Sequence, residues 1–324
     1  MVREEVRDGF EFVPMFYPFY RKDAIKVVVD SRALEDYQEY IRKHGLEKAE
    51  IIMPDLKILQ LCPSLKYLKI FPSYNAPESF DFSPLYEMPE VKSLHCQNRY
   101  GSREQYISEI DYSRIHGLIS LSVDVNKKTL NYNKVGTLRS LAVGSFKGEN
   151  RDLTGLFCSQ ELDTLTLAEC GVYSLNGIET SRKMQCLYLH YNRSLSDISA
   201  LSRVKGTLRA LRIENCPKIQ DFSVLGELEN LELLELSGSN TLPNLDFLKT
   251  MKSLKLFSFS MNVLDGNLSP CMDISCVDSF KNRKHYNLKD CELPKGKFTM
   301  GNENIEAWRR LEYSGCQSCF LRCL

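Results

Sequence analysis

Between Leu65 and Cys291 the apolar positions recur in one order: apolar, two residues, apolar, one residue, apolar, and often Asn or Cys three places on. Counted from the first apolar residue, slots one, four and six are apolar and slot nine is Asn or Cys. The clearest copies are Leu118/Leu121/Val123/Asn126, Leu162/Leu165/Leu167/Cys170, Met184/Leu187/Leu189/Asn192, Leu208/Leu211/Ile213/Cys216 and Leu254/Phe257/Phe259/Asn262. Copies start at Leu65, Val91, Leu118, Leu138, Leu162, Met184, Leu208, Leu231, Leu254 and a degenerate Arg283, spaced by 26, 27, 20, 24, 22, 24, 23, 23 and 29 residues. The Arg283 copy keeps Tyr286, Leu288 and Cys291 but has lost its first leucine, as a terminal copy does. A period of this length belongs to a stacked supersecondary unit rather than to separate globular domains.

Apolar residues two apart at slots four and six predict one short strand per copy. Alternation then sends slots three, five and seven to the opposite, concave face. Ten such strands at roughly 4.8 Å make a parallel sheet about 45 Å long. The return segments Leu195–Leu201, Ile219–Leu225 and Leu245–Leu248 supply a second apolar set, as short helical or 3-10 turns on the convex side. Stacked units leave apolar ends that need covering. Residues 1–64 read as an amino-terminal cap, with a strand at Ile25–Val29, a helix over Ser31–Lys43 and an edge strand at Ala49–Met53; residues 65–291 form the repeat array. Residues 292–324 read as a carboxyl-terminal cap helix, Asn304–Tyr313, and a cysteine-containing tail. Ile305, Trp308 and Leu311 lie at helical spacing, which makes the single tryptophan a sealing residue.

The slot pattern is the leucine-rich-repeat signature L-x-x-L-x-L-x-x-N/C. The chain resembles that family in its internalin-like and phosphatase-regulator-like class, whose repeats run near ~22 residues. The resemblance is close from Leu153 to Asn262 and looser before it. It implies an α/β solenoid and a protein-binding, non-enzymatic role. The host-receptor role of secreted internalins does not carry over, because a signal peptide and a wall-anchoring tail are lacking. Ribonuclease inhibitor, also thiol-rich, has longer alternating helical repeats that do not match.

Composition narrows the partners. Hydrophobic residues make up 43% and charged residues 26%, as in a folded soluble protein. Lys plus Arg equals Asp plus Glu at 42 each, so no global field draws nucleic acid or anionic membrane. The first residues are charged and no stretch approaches ~20 apolar residues, so the expected compartment is the cytoplasm, without a membrane span. There the sequons at Asn192 and Asn267 would be idle. Of twelve cysteines, Cys170, Cys216 and Cys291 take slot nine and Cys96 takes slot six. They read as packing thiols without zinc or obligatory disulfides. Cys316, Cys319 and Cys323 are too few for a structural zinc site and do not form a prenylation box.

No P-loop, G-x-G-x-x-G, G-x-S-x-G or H-E-x-x-H is present. Cys186 and His190 share a strand face but stand about 13 Å apart, beyond one metal or one nucleophile–base pair. A tail thiol would lack a base, since no histidine lies within 30 residues of Cys316. Neither a cofactor nor a small-molecule substrate is expected.

The free positions are therefore slots three, five and seven. There Cys186, Ala210, Leu233 and Leu256 form an apolar row beside Tyr188, Arg212 and Glu235, flanked by His190 and Glu214. Aromatic, arginine and exposed leucine together suit a hot spot for a protein partner. A smaller candidate cluster is Tyr67, Lys69, Phe71 and His95. An inhibitor, scaffold or immunity-type protein fits, as does an accessory subunit recruiting a catalytic partner such as a phosphatase. On this reading Leu211→Ala costs ~2–5 kcal/mol and Arg212→Ala under ~1 kcal/mol.

Overall fold

The computed structural model describes residues 5–14, 25–30, 32–73, 76–77, 79–96, 108–279 and 281–296. The chain divides into two compact units, Met1–Ala142 and Val143–Leu324. The expected helix at Asn304–Tyr313 and the cysteines of the tail lie outside the described residues.

In the first unit an antiparallel hairpin, Glu5–Arg7 with Phe10–Pro14, pairs antiparallel to Ile25–Val29. From Ile25–Val29 onward pairing is parallel, through Lys48–Ile51, Tyr67–Ile70, Ser93–Cys96 and Ser120–Asp124. The register puts Ala49, Leu68, Leu94 and Leu121 side by side, which makes Leu46/Ala49/Ile51 a repeat copy in front of Leu65. Its small slot-four residue and its Pro54 at slot nine hide it in the sequence. The helix spans Leu34–His44 and buries Tyr37, Tyr40 and Ile41. Gly45 ends it in the left-handed conformation, φ 58°. Phe10 stacks on Tyr40 with centroids 4.0 Å apart, so the helix holds the hairpin.

In the second unit the strands are Thr164–Ala168, Cys186–His190, Ala210–Glu214, Leu233–Ser237, Leu256–Phe259 and Cys276–Ser279, each parallel to the next. Each begins at slot three, as the pattern demands. The slot-four and slot-six residues Leu165/Leu167, Leu187/Leu189, Leu211/Ile213, Leu234/Leu236 and Phe257/Phe259 are all buried. Convex segments are 3-10 turns: Ile178–Thr180, Ser199–Val204, Ser223–Glu227, Asp246–Lys249 and Ser269–Asp273. Several are started by an Asx side chain accepting the N–H two residues on: Asp197 from Ser199 at 2.9 Å, Asp221 from Ser223 at 2.8 Å and Asn244 from Asp246 at 3.0 Å.

Chain exit from each strand has its own device. Slot eight is left-handed at Ser145, Glu169, Tyr191 and Asn215, with φ of 60°, 53°, 52° and 51°. This turns each slot-eight N–H onto the slot-seven carbonyl of the next strand, as from Glu169 to His190 and from Tyr191 to Glu214, both at 2.9 Å. Gly238 occupies the equivalent slot with φ 131°. A side chain held at positive φ costs ~1–2 kcal/mol, partly offset in a glycine variant by unfolded-state entropy. Exposed Glu169 is expected to become about 0.5–1 kcal/mol more stable as Glu169→Gly in urea melts. A destabilised variant would mean that the Glu169 side chain holds the turn.

The last strand corrects the sequence expectation. Cys276–Ser279 follows Leu256–Phe259, with Leu256 opposite Cys276 and Phe257 opposite Val277, so the final copy is Ile274/Val277/Ser279/Asn282 and not the copy at Arg283. Serine in slot six broke the apolar pattern. The chain then folds back over this strand. Val277 N–H donates to Pro294 O at 2.8 Å, Ser279 N–H to Asp290 Oδ1 at 2.7 Å, and Gly296 N–H to Ser275 O at 3.0 Å. Residues 290–296 thus close the open edge, and Cys291, expected in slot nine, is exposed.

Candidate functional site

The in-register ladder of the second unit places the expected residues on adjacent strands of one face. One row is Cys186, Ala210, Leu233, Leu256 and Cys276; the next is Tyr188, Arg212, Glu235 and Ser258. Their expected exposure is overturned. Leu233 and Tyr188 are 0% exposed, Leu256 2%, Glu235 3% and Arg212 4%. Side chains about 4.8 Å apart along an in-register row cover one another's flanks, and the polar row closes on itself.

Arg212 is the centre of that row. Its guanidinium lies 4.6 Å over the Tyr188 ring. Its Nε is 2.9 Å from Glu235 Oε2, and its Nη2 donates to Glu235 Oε1 at 3.1 Å. Nη2 also stands 4.0 Å from Glu214 Oε2. The Tyr188 hydroxyl donates to Glu214 and sits 2.7 Å from His190 Nδ1, which is 3.2 Å from the same carboxylate. The five side chains form one contact group, in which Arg212 Nε meets Glu235 Oε2 as an ion pair rather than as an aligned hydrogen bond. His190, half-buried, is the member nearest solvent.

Burial dominates the protonation equilibria. It pushes the Tyr188 phenol well above its ordinary value, so the group is a neutral hydrogen-bond donor. It also raises Glu235, with Arg212 opposing. For Arg212 burial is the largest influence and acts against the charge, yet Glu235, Tyr188 and Glu214 together outweigh it and raise the guanidinium. Glu214 is lowered: burial would raise it, but hydrogen bonds from His190 and Tyr188 prevail.

The smaller cluster is on the first unit. Lys69 and His95 are register partners, Lys69 Nζ lies 4.5 Å over the Phe71 ring, and Phe71 and His95 centroids are 6.5 Å apart. Tyr67 lies on the same strand, with Lys48 Nζ 5.9 Å from its ring. Two members escaped sequence reasoning. Glu50 takes Lys26 at 2.6 Å and Lys69 at 3.6 Å, and burial pushes Lys26 down to about 8 despite that carboxylate. Glu50 is slot five of the copy at Leu46, which the sequence hides, and Lys26 reaches it from the neighbouring strand. The cluster is thus a buried ion-pair group with an aromatic flank.

Among the described residues no group of three or more His, Cys, Asp or Glu is placed to hold a metal ion, and no helix is long and apolar enough to cross a membrane. None of the nine described cysteines is in a disulfide. Cys170 and Cys216 donate to backbone carbonyls from slot nine, Cys170 to Val143 O at 3.5 Å and Cys216 to Glu214 O at 3.5 Å. Burial pushes Cys216 up to about 11, which suits a packing thiol rather than a nucleophile.

Two tyrosines stand outward at the edge where the chain leaves the strands. Tyr191 is 37% and Tyr173 52% exposed, and Glu169, Arg193 and Arg151 are exposed with them. The His190 and Tyr191 rings meet edge-on at 4.4 Å, and the Arg151 guanidinium is 6.0 Å from the Tyr173 ring. Tyr173 O accepts the N–H of Ser196 and of Asp197, both at 3.1 Å, which ties it to the next copy.

No protein-family model matches the chain. It is similar to leucine-rich repeat-containing protein 56 of Mus musculus, 29% identical over 193 residues, covering 58% of this chain and 29% of that protein. The chain thus aligns with less than a third of that relative's length. A solved TLR13–ssRNA13 complex aligns at a TM-score of 0.42 and 16% identity, over 72% of this chain and 45% of that one. One parallel strand per period, core residues at slots four and six, slot-nine thiols and amides on neighbouring carbonyls, and the similarity to the mouse protein converge: the chain is a leucine-rich repeat protein.

Proposed function

We propose that the protein is a non-catalytic protein-binding module whose contact surface is the strand-exit edge of the second unit, around His190, Tyr191, Tyr173 and Arg193. The observation that carries this reading is the partition of aromatic and arginine side chains. Tyr188 and Arg212 are drawn into a buried network, whereas Tyr191 and Tyr173 stand at the surface beside Arg193 and Arg151. Tyrosine and arginine are over-represented among residues that dominate binding energy. The titratable groups that do cluster are spent on one another, which supports a role without catalysis.

Inhibitor, scaffold and recruiting subunit, including recruitment of a phosphatase, are three uses of such a surface. The captured partner's activity with and without this protein separates them. Against a partner captured by the wild type, Tyr191→Ala and Arg193→Glu are each expected to cost about 2 kcal/mol, roughly thirtyfold in Kd. Lys252→Ala, exposed ahead of the Leu256–Phe259 strand and away from the exit edge, should change nothing. Unchanged affinity in the Tyr191→Ala/Arg193→Glu double variant would move the site off this edge.

A further inference from the structure

The Lys26–Glu50–Lys69 group of the first unit is one counter-charge short. Lys26 Nζ and Lys69 Nζ approach the same carboxylate oxygen, Glu50 Oε2, at 2.6 and 3.6 Å. Among the described residues no other carboxylate pairs with either lysine; Glu11, exposed on the strand beside Ile25–Val29, reaches neither. Both lysines are withdrawn from water, Lys26 being 4% exposed and the Lys69 side chain 19%. Two cations buried with one anion leave a net charge in a poorly solvated place, where it is costly. Burial accordingly pushes both lysines down, Lys26 to about 8, and Glu50 offsets only part of the effect.

The surroundings give that charge an open side. The sheet register pairs Glu50 with Lys69 and Lys48 with Tyr67, so Lys48 lies on the same face, two residues before Glu50. Lys48 is half-buried, its Nζ is 5.9 Å from the Tyr67 ring, and among the described residues no carboxylate pairs with it. Lys69 Nζ lies 4.5 Å over the Phe71 ring, with Glu50 on another side. Three lysines thus share this patch with one carboxylate, and the half-buried Lys48 and Lys69 are the members in reach of solvent.

We propose that this patch binds a small oxyanion, a carboxylate or a phosphate group, held by Lys69 and Lys48 and drawn in by the excess charge of Lys26. The ligand supplies the second counter-charge, while Glu50 keeps Lys26 and Lys69 together. Ammonium groups act on such a ligand as point charges, so both classes of oxyanion fit. The site is separate from the exit edge of the second unit and does not rest on the function proposed there.

The test is isothermal titration of the full chain with inorganic phosphate, acetate and chloride at constant ionic strength. One saturable site is expected for phosphate or acetate, and none for chloride. Tighter phosphate assigns the site to phosphate groups; acetate binding as tightly or better assigns it to carboxylates. Lys69→Met should weaken the tighter probe at least ~tenfold, since one charge-assisted contact is lost while Lys26 keeps Glu50 as its partner. Glu50→Gln should act in the opposite direction and tighten binding ~threefold or more, because the internal competitor for both ammonium groups is gone. Lys252→Met, which removes an exposed cation of the second unit, should bind as the wild type does. The proposal is overturned if neither phosphate nor acetate saturates a site, if chloride saturates it too, or if Lys69→Met binds like Lys252→Met. It is equally overturned if a folded Glu50→Gln variant gains nothing, as a self-sufficient ion pair requires. Should Glu50→Gln lose its circular dichroism signal, the comparison of Lys69→Met with Lys252→Met decides alone.

Discussion

Replacing Arg212 by alanine is expected to destabilise the second unit by about 3–5 kcal/mol, as much as the core truncation Leu211→Ala. The alternation of a strand argues otherwise: Leu211 faces the core, Arg212 faces away, and only one should matter. But Arg212 is 4% exposed and its guanidinium neutralises Glu235 at 2.9 Å. Truncating it strands a buried carboxylate, and the penalty is for the charge left behind rather than for the pair itself. The argument has a signature. Arg212→Met combined with Glu235→Leu removes both charges and should recover most of the loss, because Glu214 keeps its bonds from Tyr188 and His190. Urea melts of the two single and the double variants, with Leu211→Ala alongside, give the comparison. An Arg212→Ala loss below about 1 kcal/mol would show the network to be solvated.

The same pair of residues shows what the sequence could and could not reveal. The slot of Leu211 was legible because every copy must fill the space between its neighbours, and the demand repeats with the period. The strand positions followed from it: Cys186–His190 and Ala210–Glu214 each start at slot three. The burial of Arg212 was not legible. A two-residue period reports which side of a strand faces the core and is silent on what lies against the other side. Copies with weak slots were missed for a related reason. Ala49 and Ser279 fill core slots with small or polar residues, so Leu46–Ile51 and Ile274–Ser279 pair in the ladder with only part of the apolar pattern. The Asx turns were readable and overlooked. Asp197-Ile-Ser199 and Asp221-Phe-Ser223 carry the same side-chain-to-backbone bond one repeat apart. The exposed tyrosines of the exit edge sit in slots that the repeat does not constrain, where only coordinates distinguish Tyr191 from Tyr188.

Slot nine carries the second large effect. The Asn192 side chain is fully buried; its Nδ2 donates to Leu167 O at 2.8 Å and its Oδ1 accepts the Cys170 N–H at 2.9 Å. Both partners belong to the preceding copy, so this one amide is an interface contact between two repeats. Asn192→Ala leaves a buried donor and a buried acceptor unpaired, at about 1–3 kcal/mol each, and is expected to cost about 2–5 kcal/mol. Asn192→Cys should cost roughly half as much, because a thiol in this slot can donate to a carbonyl, as Cys216 does to Glu214 at 3.5 Å, but cannot accept the Cys170 N–H well. In a repeat array stability is a sum of unit terms and neighbour couplings, and here a coupling is what is lost. The damage should therefore show first as faster hydrogen exchange at the Cys170 amide and its neighbours, with exchange in the Leu256–Phe259 strand changing far less. Uniform acceleration across the second unit would mean that its copies unfold as one block and that Asn192 supports the whole rather than one junction.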